Sequence, residues 1–198
     1  MVTRWIAIQS FNVFFSIVSG TFAAEIMTRQ EAGGAAHVTG EKFQYSFLIP
    51  VGWRLSALPN TEPSLWAIEQ PLAGARVFMS VSCFEKSTWR VRTAEEFLAG
   101  QLQTLQIKTP AARYEKIGSV SVGGTGPSIL YATRGTETPD YFTCIGNKRF
   151  VTMLSLCAKN EEALATALKS FQEFTASYTF LDEHEKEGAK EPRGRSRK

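Results

Sequence analysis

The stretch FLIPVGWRLS, residues 47–56, decides how this chain begins to fold. Apolar residues at alternate positions lead into it, and their spacing predicts a strand with an aromatic face: Phe43, Tyr45, Phe47 and Ile49. Pro50 has no N–H group to donate to a sheet, and Gly52 adopts turn dihedral angles at little cost. We therefore expect the strand to end in a turn at these residues, after which Trp53 opens a second extended run.

The rest of the sequence alternates between the spacings of strands and of helices. Period-two alternation predicts longer strands at 75–84, 114–122, 128–134, 140–145 and 150–157. Thr93 and Glu96 form a capping box that begins one helix, and Asn160 is the expected N-cap of a second. This order of strands, helix, antiparallel strands and helix predicts an α+β fold in which helices pack on a mostly antiparallel sheet.

The turn and the last predicted helix together resemble the Mog/PsbP-like family. The resemblance covers about residues 43–181 and rests on a few matching positions: Phe47, Pro50, Gly52 and Trp53 in the turn, and Phe171, Ser177 and Phe180 near the end. In that family the Pro-x-Gly-Trp turn carries the chain round the end of the sheet, and the tryptophan packs under the terminal helix. The resemblance implies a Mog/PsbP-like sandwich and a non-catalytic accessory role. It supplies no partner-binding residues, because no partner motif matches.

Residues 1–23 have the order of an export signal. Arg4 is followed by an apolar stretch and then by small residues around Thr21 and Ala23. The apolar stretch is short and is interrupted by polar residues, so it predicts no integral membrane span. We expect a signal peptide cut near Ala24 and an exported protein, periplasmic or secreted. A buried N-terminal helix is the alternative interpretation.

Three further segments follow the expected signal peptide. Residues 24–42 contain glycine and small polar residues without periodicity, which predicts a linker. Residues 43–181 form the predicted domain. Residues 182–198 are charged and have nothing to bury, so they are predicted to be a disordered tail.

The charge balance of the sequence bears on whether the protein binds nucleic acid. The net charge is +3, but residues 25–181 contain 15 Lys or Arg and 14 Asp or Glu, a balance that does not indicate nucleic-acid binding.

The three cysteines, Cys83, Cys144 and Cys157, are predicted to be small buried residues, although a disulfide between Cys83 and Cys157 remains open.

The sequence offers no recognisable set of catalytic residues, metal ligands or cofactor-binding residues. Its two histidines, His37 and His184, fall in the expected linker and tail, so a histidine-dependent triad within the domain is not expected. We therefore expect a protein that is not an enzyme. A small hydrolase or lyase built from carboxylate, Tyr and Arg groups is one alternative. An intracellular chaperone for secretion effectors is another, if the N-terminus is not cut.

One connector combines a tryptophan with several cations and is the candidate binding site. It lies between a strand and the first helix and contains Lys86, Trp89, Arg90 and Arg92. Such a group can bind an anionic or aromatic surface of a partner protein. Arg134, with Tyr131 and Tyr141, is a candidate addition to a binding face on the central strands, although aromatic residues in a sheet are more often core residues or cross-strand pairs. In the alternative interpretation, Trp89 packs against the following helix while the cations remain solvated.

Overall fold

Two antiparallel sheets and three helices form the fold in a computed structural model that describes residues 29–30, 34–39, 43–56, 64–67 and 77–181. The strands are β1 (Arg29–Gln30), β2 (Ala35–Thr39), β3 (Gln44–Leu48), β4 (Trp53–Ser56), β5 (Ser64–Ala67), β6 (Val77–Glu85), β7 (Arg113–Val122), β8 (Gly126–Arg134), β9 (Asp140–Gly146), β10 (Phe150–Ala158) and β11 (Thr179–Leu181). The helices are α1 (Lys86–Trp89), α2 (Ala94–Lys108) and α3 (Glu161–Ser177).

The larger sheet has seven strands in the order β4-β5-β6-β10-β9-β8-β7, and the smaller has four in the order β1-β2-β3-β11. Every pairing within the described residues is antiparallel. The predicted α+β class, with helices packed on mostly antiparallel sheet, is confirmed.

The predicted turn joins one sheet to the other. The Trp53 amide donates to the Pro50 carbonyl at 3.1 Å, and Gly52 takes a φ of 85°, which favours glycine. The Leu48 amide, at the end of β3, donates to Ser177 Oγ at 2.9 Å and so fixes the turn against the end of α3.

Helix α3 forms the main core by packing against both sheets. Its residues Leu164, Phe171 and Phe174 are fully buried, in the same cluster as Phe47 and Trp53. The Phe47 and Phe174 rings meet edge to face at 5.1 Å. Residues from the turn, the smaller sheet and the last helix therefore share one core, which contains the matched Phe47, Trp53 and Phe171. Phe180 packs at its margin, with its ring 5.7 Å from that of Phe150.

Helix α2 covers part of the opposite face of the larger sheet. A separate cluster lies beneath it, made of Phe84, Phe97, Leu98, Phe142 and Val151. Both predicted N-caps are confirmed: Thr93 Oγ1 accepts from the Glu96 amide at 3.2 Å, and Asn160 Oδ1 accepts from the Ala163 amide at 2.8 Å.

The prediction of a linker over residues 24–42 is wrong for β1 and β2. Strand β2 pairs with β3 along its whole length, and its Ala36 and Val38 are buried in the main core. The sequence pattern did not predict this strand, because its small residues and the neighbouring glycine give little hydrophobic signal. The expected signal peptide at 1–23 and tail at 182–198 lie outside the described residues.

Two further observations concern the described residues only. None of their helices has both the length and the apolar character needed to cross a membrane. Cys83, Cys144 and Cys157 form no disulfide bond with one another.

Gly123 provides a test of how the β7–β8 turn packs against the end of α3. A Cβ atom at this position would lie 2.3 Å from the Tyr178 carbonyl oxygen and 2.7 Å from that of Ala176. Because both obstacles are backbone, Gly123→Ala should lower the free energy of unfolding by about 2 kcal/mol. In the helical control Gly100→Ala nothing lies within 4 Å of the new atom, so stability should rise by about 0.5 kcal/mol. Urea denaturation measures both; equal effects would contradict this packing.

Candidate protein-interaction surface

The predicted binding connector folds into the single turn of α1, beside the loop between β9 and β10. The Lys86 amide donates to the Arg149 carbonyl at 2.9 Å, and Lys86 Nζ donates to the Asn147 carbonyl at 2.6 Å. The Val91 amide donates to the Lys86 carbonyl at 3.1 Å. These bonds hold α1 and residues 146–149 together as one rigid corner of the molecule.

Asn147 shapes the other half of this corner. Its Oδ1 accepts from the amides of Arg149 and Phe150, at 2.9 and 2.7 Å, and its own amide donates to the Phe150 carbonyl. The loop therefore presents Lys148 and Arg149 next to α1. Sequence reasoning recognised the turn but missed these two cations, because the pairing of β6 with β10 that places them there is a long-range contact.

We call the resulting set the basic corner, defined by five residues: Lys86, Arg90, Arg92, Lys148 and Arg149. Three carboxylates lie close to it, at Glu85, Glu95 and Glu96. They are already engaged. Arg149 pairs with Glu85 at 3.8 Å, Glu96 accepts from the Arg92 amide at 2.6 Å, and the pKa of Glu95 is held below its usual value by its own backbone and by Thr93.

The remaining cations of the basic corner are directed to solvent. Arg90, Arg92 and Lys148 are exposed, and among the described residues their side chains form no ion pair or hydrogen bond. Arg90 ends α1 in the left-handed conformation, with a φ of 53°, which is unusual for a residue with a side chain. The corner thus carries an excess of positive charge on a backbone that is fixed in place.

Trp89 supports the basic corner from below. Its ring meets Phe84 at 5.5 Å and Phe97 at 5.3 Å, both edge to face, and the residue is only partly exposed. The packing of the alternative interpretation is the one observed: Trp89 packs against the helix that follows it, and Arg90 and Arg92 are exposed, whereas Lys86 Nζ is bound to the Asn147 carbonyl. Trp89 therefore supports the surface.

Arg134 does not join this surface. It pairs with Glu115 at 2.7 Å and with Glu161 at the start of α3, and Tyr141 donates to the same Glu161 carboxylate at 3.2 Å. These contacts lower the pKa of Glu115 and raise that of Arg134. Arg134 lies beside the start of β9, because its neighbour Thr133 pairs with Asp140, the first residue of that strand. The basic corner lies beyond the end of β9, about 20 Å away along the strand.

The aromatic residues expected beside Arg134 also fail to form one face. The Tyr131 ring stacks on Phe142 at 5.3 Å, in the cluster under α2, whereas Tyr141 packs against the main core on the α3 side. The candidate residues therefore separate into two groups. Lys86, Arg90 and Arg92 remain together above Trp89, and Arg134 belongs to a structural ion pair network at the other end of the sheet.

A second group of interest lies around Asp140. Its Oδ1 atom is buried and has no hydrogen-bond partner among the described residues. Burial raises the pKa of Asp140 to about 6, against the opposing effect of hydrogen bonds from Thr133. Burial and the Asp140 charge raise the pKa values of Tyr114 and Cys157. Sequence reasoning missed this group because Asp140 becomes buried only through the register of β8 and β9.

The described residues contain no group of three or more His, Cys, Asp or Glu side chains that could hold a metal ion. The Asp140 group accordingly offers a carboxyl with one buried oxygen, a partly exposed phenol and a buried thiol, rather than a ligand set.

Comparison with known proteins gives structural similarity alone. No family model matches the chain, and no curated protein matches it. A crystal structure from Bacteroides thetaiotaomicron VPI-5482 is 13% identical over 71% of this chain, which spans 46% of that one, with a TM-score of 0.41. The solution structure of cyanobacterial PsbP (CyanoP) from Synechocystis sp. PCC 6803 is 15% identical over 82% of this chain and 96% of that one, with a TM-score of 0.43. A PsbP is thus among the structures that this chain is similar to.

Replacing Trp89 tests its supporting role. Trp89→Ala should lower the free energy of unfolding by about 2 kcal/mol, because it removes a partly buried ring from between Phe84 and Phe97. Arg92→Ala, an exposed neighbour, should change it by no more than about 0.5 kcal/mol. Chemical denaturation of both variants decides the matter. Equal stability of the two would show that the ring supports nothing.

Because the Asp140 carboxyl has a raised pKa, we predict that the stability of the fold decreases as the pH rises. Its folded-state pKa, about 6, lies above the ordinary aspartate value of 3.8, so the folded chain keeps a proton that the unfolded chain has released. The contribution of this group to stability is therefore greatest below pH ~4 and falls by about 3 kcal/mol as the pH rises through the folded pKa.

Urea denaturation across this pH range should show the loss in the wild type. The side chain of Asp140→Asn cannot ionise, so the free energy of unfolding of this variant should fall by about 3 kcal/mol less over the same pH range. An identical pH slope in both proteins would contradict the burial of an ionisable carboxyl here.

Proposed function

We propose that this chain is an exported, non-catalytic accessory protein that binds an acidic surface of another protein through the basic corner. One observation carries the proposal: Arg90, Arg92 and Lys148 are exposed, without ion pairs among the described residues, on a backbone that their neighbours hold rigid. Charges of one sign on a fixed surface attract and orient a partner of the opposite sign.

Pre-organisation supports a binding role for this corner. Lys86 spans from α1 to the Asn147 carbonyl, and Asn147 itself closes the adjacent loop, so the backbone needs no ordering when a partner binds. The cost of association is then limited to the side chains themselves. Trp89 contributes from below by keeping α1 on the sheet.

The charge balance of the domain favours a protein partner over a nucleic acid. Residues 25–181 carry nearly equal numbers of acidic and basic residues, so the basic corner is a local feature and not part of a broad positive surface. The sequence resemblance to the Mog/PsbP-like family also implies an accessory role.

The Asp140 group favours a second candidate function, a carboxylate-dependent hydrolase. A buried carboxyl whose pKa is about 6 can serve as a proton donor near neutral pH. Hydrolysis of a chromogenic ester or glycoside that is lost in Asp140→Asn, and retained when the basic corner is altered, would favour this candidate over the first.

Charge reversal tests the basic corner. Arg90→Glu with Lys148→Glu should reduce the capture of an acidic protein from the exported fraction by on the order of tenfold, because attraction becomes repulsion. The matched control reverses two exposed cations elsewhere, Arg113→Glu with Lys169→Glu, and keeps the same net charge. Quantitative mass spectrometry of the bound proteins, at low and high salt, gives the comparison.

The control should retain the partner that the corner variant loses, and high salt should release it from the wild type. Loss of the same partner from both variants would show a general charge effect and would contradict a specific site.

Export is tested by the N-terminus of the native protein. A signal peptide over residues 1–23 predicts a mature chain that starts near Ala24. Mass spectrometry of protein purified from its source organism should find this start. An intact Met1 would contradict export and would favour the intracellular alternative.

A further inference from the structure

The end of the described chain lies next to the basic corner. Strand β11 pairs with β3 as far as Leu181, and the Phe180 ring is 5.7 Å from the Phe150 ring. The Arg149 guanidinium lies over that same Phe150 ring, at 5.4 Å from its centroid. The chain therefore leaves the fold within a few contacts of the cations of the basic corner.

The sequence that follows is complementary in charge. Residues 182–187 read DEHEKE, with four carboxylates against a single lysine. Six extended residues span up to about 20 Å, which exceeds the two ring contacts that separate Phe180 from Arg149. Charge complementarity and the place where the described chain ends thus agree.

We propose that residues 182–187 bind the basic corner of the same molecule and compete there with the partner. This rests on the proposed function, since it assigns a regulation to the same surface. A tethered segment has an effective concentration in the millimolar range, so weak ion pairs suffice to occupy the site until a stronger acidic surface displaces them. The occupancy decreases with ionic strength, because the pairs are exposed.

Zero-length carbodiimide coupling of the full-length protein tests the contact without any partner. The reagent activates a carboxylate, which a touching lysine amine converts to an amide. At low salt, peptide mass spectrometry of the monomer should find Lys148 or Lys86 joined to a carboxylate of residues 182–187. The product should disappear at 1 M salt, where screening acts within about 3 Å.

Two variants sharpen the result. Asp182→Asn, Glu183→Gln, Glu185→Gln and Glu187→Gln together should abolish the cross-link and should strengthen binding of a poly-glutamate peptide by roughly tenfold, because the competitor is lost. The control Glu162→Gln with Glu173→Gln, on exposed positions of α3, should change neither.

Coupling of residues 182–187 only to lysines outside the basic corner, or only between molecules, would overturn the inference. This failure differs from that of the proposed function. If charge reversal abolishes partner capture but no cross-link forms, the function stands and the inference fails. If the cross-link forms but partner capture ignores the corner, the proposed function fails while the tail contact stands.

Discussion

The simultaneous burial of α3 against two sheets is the contact on which the rest of the structure depends. Leu164, Phe171 and Phe174 lose almost all contact with water, and each such side chain contributes about 2 kcal/mol through burial. Because Tyr45 and Phe47 of the smaller sheet enter the same core, α3 also fixes that sheet to the larger one. The Pro50–Gly52 turn then follows as the shortest route from one sheet to the other.

This arrangement determines which parts of the molecule can meet a partner. One face of the larger sheet is filled by α3, and α2 covers part of the other, so the strand ends and their loops remain. At one end, Arg134 is held between two carboxylates, Glu115 and Glu161. At the other end, the cations above Trp89 exceed the carboxylates around them. The difference between the two ends is one of pairing, and for this reason we propose the basic corner as the binding surface.

Local rules predicted the elements of this fold. The turn, both helix caps and the strands from β6 onward depend on residues close together in the sequence, such as Thr93 with Glu96. Strand β2 was not predicted, because its sequence AAHVT has few large apolar side chains and its burial depends on pairing with β3. Its position shows how tertiary packing overrides a weak local signal.

The candidate site was predictable only in part, for the same reason. Residues 86–92 stood out by composition, but Lys148 joins them through the register of β6 and β10, over sixty residues away. The buried Oδ1 of Asp140 likewise depends on the pairing of β8 with β9. Composition identified cations, and only the three-dimensional arrangement distinguished the paired Arg134 from Arg90, which has no ion pair within the described part of the chain.

The central claim is that this protein acts through a charged surface and not through the buried group around Asp140. Nuclear magnetic resonance of the isotope-labelled chain, titrated with a poly-glutamate peptide or with the captured partner, tests it most directly. We expect the amide shifts of residues 86–92 and 146–149 to change, and these changes should fade with salt. Changes centred on Tyr114, Thr133 and Asp140, with the basic corner unaffected, would contradict it.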